Sequence, residues 1–93
     1  MAGNLDALRK EIEEIDAEIA QLIGRRLKAA EKVAEAKMDL NLPIVNPEVE
    51  KRVEQRYRDN ASRLGISEDS MARIARILID EAVERERRIC GKE

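Results

Sequence analysis

From Asn4 to Leu40 nothing in the chain stops a helix. The stretch holds no proline, one isolated glycine (Gly24), and apolar residues that return every third or fourth position. Pro43 is the first residue that forbids helix, and it biases Leu42 toward extended backbone. The pattern therefore predicts one helix over about residues 4 to 40. Some 37 helical residues at ~1.5 Å each make a rod of ~55 Å. A compact domain of this length has a radius of gyration of ~12 Å, so the rod overshoots any monomeric globule. Its apolar stripe needs a second long helix as cover, and another copy of the chain is the simplest source. The expectation is an intertwined homodimer.

The remaining punctuation divides the chain cleanly. Asn4 reads as an N-cap for the first helix, with Asp6 in the first turn, where negative charge suits the helix dipole. Asn46-Pro47 restarts a helix, with Asn as N-cap and Pro at the first helical position. That helix runs to Leu64, where Gly65 suits a left-handed C-cap. Ser67 caps a third helix that continues to about Ile89. The fold class is all-α, three helices (long, short, medium), and residues 1–93 read as a single domain.

Several function classes are disfavoured. Lys plus Arg number 18 against 20 Asp plus Glu, and the chain has one Tyr, no Phe and no Trp, so neither a basic excess nor a stacking surface favours nucleic acid. No histidine is present, which removes His-based nucleophile pairs, His–Zn sites and the usual proton shuttle. Cys90 is the only cysteine, so no intrachain disulfide and no Cys-based metal site is expected. With no apolar run of membrane length and no signal-like apolar segment, the reading is a soluble, cytoplasmic protein without metal or cofactor.

The stripe of the first helix carries an anomaly. It runs Ile12, Ile15, Ile19, Leu22, Arg26, Ala30, Val33, Lys37, all on one face, and two of those places hold cations. The second helix's stripe Val53, Tyr57, Ala61, Leu64 extends back onto Glu50. The third helix's stripe Met71, Ala75, Ile79, Ala82, Glu86, Ile89 carries Glu86. Charges are rarely buried without a reason. One reading is an ion network pairing Arg26 and Lys37 with Glu50 and Glu86. The other is a cation-lined cavity between helices that holds an anionic ligand. Residues 26 and 37 lie about 20° apart around the helix, whereas residues 9 and 26 lie about 100° apart and some 25 Å along the axis. Arg9 therefore cannot easily serve the same pocket within one chain, but an antiparallel two-fold pairing would bring it there.

The segments "LRKEIEEIDAEIAQLIGRR", "VAEAK" and "LPIVNPEVE" resemble the all-helical family of chorismate mutases. The shared pattern is LR-x-x-I-x-x-I-D near the start, R-x(10)-K later in the first helix, and a Pro-to-Glu segment opening the second. The resemblance covers nearly the whole chain. It implies an intertwined dimer with two active sites that converts chorismate to prephenate, toward phenylalanine and tyrosine. It further implies that Arg26 binds a substrate carboxylate and that Arg9 is donated from the other subunit. Lys37 resembles the lysine that contacts a carboxylate and the ether oxygen. Glu50 resembles the glutamate that binds the substrate hydroxyl, with a backbone contact at Asn46, and Glu86 falls where the family carries Gln or Glu against the ether oxygen. Two positions depart from the pattern: Val49 stands where many members have Arg, and Ala82 where many have Ser.

The implied chemistry suits the composition. A Claisen-type rearrangement breaks one C–O bond while forming one C–C bond, and needs no nucleophile, metal or general base. The protein must hold a dianion in a chair-like geometry and stabilise charge growing on the ether oxygen. Lys37 is the candidate for that electrostatic role. No structural task for its charge is visible in the stripe, so Lys37→Ala is expected to fold, if anything more stably. Two alternatives share these features: an isochorismate-pyruvate lyase of the same fold, and a non-enzymatic helical dimerisation module whose stripe charges set register.

Overall fold

The computed structural model describes residues 2–91, with side chains from residue 3. Three helices follow in order: α1 (Ala2–Asp39), α2 (Pro47–Leu64) and α3 (Glu68–Ile89). Among the described residues there is no strand.

α1 begins at Ala2, three residues before the first helical position that an Asn4 N-cap would set. Asn4 lies inside the helix and is not its N-cap, and no acidic residue, Asp6 included, falls in the first turn. Neither Ala2 nor Gly3 forbids helical backbone, glycine costing only about 1 kcal/mol against alanine, and a helix end shifts by a residue or two at little cost. The other end is closed sharply. Leu42 N–H donates to the Lys37 carbonyl at 2.8 Å and Asn41 N–H to the Met38 carbonyl at 3.1 Å. This is a Schellman closure, with Asn41 at φ 55° in the left-handed position that Asn tolerates better than most side chains. It turns the chain back immediately beyond Lys37 and lays residues 42–46 alongside that side chain.

α2 and α3 start where their caps indicate. The Asn46 side chain accepts from Val49 N–H at 3.3 Å, and the Ser67 hydroxyl accepts from Ser70 N–H at 3.2 Å. Gly65 closes α2 at φ 71°, ψ 29°, a conformation costly for a residue with a Cβ.

α3 packs against both other helices, while α1 and α2 do not pack against each other. Six of the eight buried apolar residues are alanines (Ala30, Ala34, Ala61, Ala72, Ala75, Ala82), which lets α3 approach its neighbours closely but buries little apolar area. The shape is correspondingly extended, 59 × 25 × 18 Å with a radius of gyration of 16.9 Å, well beyond the ~12 Å of a compact domain. Only the C-terminal third of α1 is covered. Every residue from Gly3 to Arg25 is exposed, including Leu5, Leu8, Ile12, Ile15, Ile19 and Leu22. Those six alternate at intervals of three and four, the heptad spacing of a helix that pairs with another helix. No helix among the described residues is long and apolar enough to cross a membrane.

Candidate active site

Where the covered third of α1 meets the start of α2 and the C-terminal half of α3, the helices leave a cavity of about 280 Å³. That is close to the lower end of the range for small-molecule sites. Its wall is apolar (Val33, Ile44, Val53 and Ile79 among others) and is studded with Arg26, Lys37, Asn46, Glu50 and Glu86. Five of the six site residues expected from the sequence thus converge from three helices and a loop. Arg9 does not line the cavity; it sits on the exposed part of α1, seventeen residues before Arg26.

The polar groups are held as follows. Lys37 Nζ is 2.9 Å from Glu86 Oε1 and also donates to the Ile44 carbonyl. Glu86 is only 6% exposed, so its charge rests almost wholly on Lys37. Arg26 donates through one terminal nitrogen to the Leu78 carbonyl at 3.3 Å and meets no carboxylate among the described residues. Its positive charge therefore remains available to an anion. Glu50 pairs outside the expected set, with Arg76 on α3 at 3.1 Å, and Arg76 also holds Asp80 at 3.2 Å. The two carboxylates, Glu50 first, raise the Arg76 pKa above its ordinary value. Asn46 Oδ1 is engaged in the α2 cap, and its carbonyl accepts from Glu50 N–H at 3.1 Å.

The ion network expected from the stripes is thus half present. Lys37 does pair with Glu86, but Arg26 and Glu50 do not pair with each other. The stripe positions share a face on each helix, and the turns between helices decide which faces meet. Lys37 has a structural task after all, because it is the partner of a buried carboxylate. The expectation that Lys37→Ala folds more stably is therefore corrected: truncation leaves Glu86 buried and unpaired, at a cost of ~1–3 kcal/mol.

Sequence reasoning missed three groups. The carbonyls of Ile44 and Leu78, which orient Lys37 and Arg26, leave no trace in side-chain type. Arg76 was detectable only as an i,i+4 partner of Asp80; its reach to Glu50, 26 residues away, comes from the packing of α2 on α3. Val49 and Ala82, the two departures from the family pattern, both line the cavity.

In chemical terms the site offers one unneutralised guanidinium, one ammonium shared with a buried carboxylate, and one anchored carboxylate, in an apolar cavity. No group of three or more His, Cys, Asp or Glu among the described residues could hold a metal ion. The arrangement suits a small anion that also carries a hydrogen-bond donor for Glu50.

Comparison with known proteins gives the same direction. The sequence profile of the family described as chorismate mutase type II matches residues 8–87. A chorismate mutase from Methanocaldococcus jannaschii is 39% identical over 80 residues, covering 86% of this chain and 81% of that protein. A bifunctional chorismate mutase/prephenate dehydratase from Aquifex aeolicus is 36% identical over 88 residues, 91% of this chain and 24% of that protein. A T-protein from Haemophilus influenzae is 35% identical over 82 residues, 88% of this chain and 22% of that protein. The chain thus spans less than a quarter of the two longer relatives. No solved structure matches it.

Proposed function

The chain belongs to the chorismate mutase type II family, and from that premise we propose that the cavity between its helices isomerises chorismate to prephenate in aromatic amino acid biosynthesis. The observation that carries this reading is the convergence of Arg26, Lys37, Asn46, Glu50 and Glu86 on one cavity. The rearrangement is unimolecular, so the protein's work is to restrict conformation and to stabilise charge. Arg26, free of any carboxylate partner among the described residues, grips one substrate carboxylate with its planar fork. Lys37, pre-aimed by Ile44 and Glu86, donates to the ether oxygen, where negative charge grows as the C–O bond lengthens. Such a donor binds the transition state more strongly than the ground state, which is what accelerates the step. Glu86 acts through Lys37, holding its ammonium at 2.9 Å in line for that oxygen. Glu50 accepts the substrate hydroxyl, with the Asn46 backbone beside it.

The second substrate carboxylate needs a further cation, and we assign it to Arg9 of the partner subunit in an intertwined homodimer. The uncovered heptads of α1 support this assembly. Six large apolar side chains lie half exposed along one seam, and covering them contributes on the order of 1 kcal/mol each. Residues 1–93 act as a single domain in this account. A cytoplasmic setting belongs to the same proposal and fits the single free thiol, Cys90.

The test is loss of chorismate absorbance on adding the protein, with prephenate identified as product. Isochorismate run in parallel, with pyruvate release as readout, separates the mutase from a lyase of the same fold. Turnover of isochorismate to pyruvate without turnover of chorismate would overturn the assignment. Neither turnover nor binding of chorismate would reduce the chain to a dimerisation module.

A further inference from the structure

Glu50 is anchored on one side only. Its Oε1 accepts from Arg76 at 3.1 Å, and among the described residues no other donor reaches either carboxylate oxygen. Arg76 does not line the cavity; it stands behind Glu50 on α3, with its side chain 48% exposed, while that of Glu50 is 20% exposed. Arg76 is itself held from its own helix by Asp80, four residues on, at 3.2 Å. The chain Asp80–Arg76–Glu50 therefore fixes one carboxylate oxygen of Glu50 and leaves the other for a ligand in the cavity.

We propose that Arg76 is a positioning residue that holds the Glu50 carboxylate in the orientation needed to accept the substrate's hydroxyl group. This rests on the reading of the cavity as a chorismate site. The pair has little to do for stability, because Arg76 remains half exposed and solvent screens its charge. What it does supply is order. Without Arg76, a glutamate side chain at a cavity rim has several staggered rotamers to choose from, and only some present an oxygen to the hydroxyl. The raised Arg76 pKa, caused first by Glu50 and then by Asp80, agrees with a guanidinium that stays charged and in place. The other charged groups facing the cavity are Arg26 and Lys37 from α1 and Glu86 from α3, and none of them contacts Glu50.

A hydroxyl contact is present in both the ground and transition states, so losing its orientation raises KM and leaves kcat nearly unchanged. The experiment is a kinetic double-mutant cycle on the intact protein with chorismate as substrate, using Arg76→Ala, Glu50→Ala and the pair, with thermal unfolding followed for each. Arg76→Ala should raise KM about tenfold, as expected for a hydrogen bond to a charged group. It should keep kcat within about twofold and melt close to the parent protein. On the Glu50→Ala background the same substitution should change KM by less than about twofold, because its only target is gone. Arg76→Lys, which keeps one charged donor, should recover most of the loss and keeps the test open if the alanine variant folds poorly. If Arg76→Ala raises KM equally with and without Glu50, Arg76 acts by general attraction for a dianion and the proposal is wrong. An unchanged KM in Arg76→Ala also overturns it. A parent protein that fails to turn over chorismate refutes instead the reading of the site, so the two failures are distinguishable.

Discussion

The two ends of α1 obey the same period and treat it in opposite ways. From Gly3 to Arg25 the stripe is leucine and isoleucine, and every residue is exposed. From Arg26 to Asp39 the helix lies against α3, and there the stripe is interrupted by two cations, with Ala30 and Ala34 as its buried points. A monomer built for its own stability would do the reverse, covering its isoleucines and exposing its charges. On the function proposed above, the two ends face two kinds of partner: the apolar seam at heptad spacing faces another helix, and the cavity around Arg26 and Lys37 faces an anion. Val33 marks the second kind: it is 46% exposed although α3 lies beside it, because it borders the cavity.

The contrast is broken most severely by charging the uncovered end. Ile12→Glu together with Ile19→Glu should leave α2, α3 and the cavity intact but abolish dimerisation, read by sedimentation. Activity should then fall by at least the 100- to 1000-fold attributed to a lost preorganised cation, since Arg9 of the partner subunit departs with the partner. A fully active monomer would separate the two ends of α1 functionally. At the covered end, Lys37→Ala should cost a similar ~100- to 1000-fold in kcat. It should also lower stability by ~1–3 kcal/mol in chemical denaturation, because Glu86 is left buried without its cation. Replacing both, Lys37→Met with Glu86→Leu, should restore stability and not activity. A double variant that regains turnover would mean that the charges at this end serve the fold alone.

Much of this was legible in the sequence, and the reason is local. Pro43, Asn46-Pro47, Gly65 and Ser67 act on their own backbone, so the helix boundaries follow from them without any tertiary knowledge. Arg26, Lys37, Glu50 and Glu86 declared themselves as charges in apolar stripes. The pairing of those charges was not legible, because it depends on how α3 is rotated against α1 and α2. Arg76 shows the limit: on its own helix it is an ordinary surface arginine bridged to Asp80, and only the approach of α2 makes it a neighbour of Glu50. Asn4 shows a smaller one, since a capping residue does not begin a helix when nothing before it forbids helical backbone.

Gentler substitutions sharpen the chemistry at the covered end. Glu86→Gln keeps the shape of the side chain and removes the charge that holds Lys37 Nζ at 2.9 Å. The variant should fold and lose about tenfold in kcat, as expected for loss of a hydrogen bond between charged groups, read by steady-state kinetics at neutral pH. Unchanged turnover would leave Glu86 as a structural partner of Lys37 alone. The smallest effect is expected at Val49, which lines the cavity with an apolar side chain. Val49→Arg should lower KM for chorismate a few-fold by adding a charge-assisted contact, with little change in kcat.

On the function proposed above, each active site is built from two chains, with the cavity of one completed by the exposed end of α1 from the other. Subunit mixing tests it most directly. Arg9→Ala and Arg26→Ala proteins, each inactive alone, are mixed in equal amounts, and exchange is verified with distinguishable tags. A mixed dimer has one site lacking both arginines and one site with both. Random exchange should therefore restore about a quarter of the parent activity, since half the dimers are mixed and each carries one intact site. Complete exchange with no return of activity would contradict the shared site and confine catalysis to a single chain.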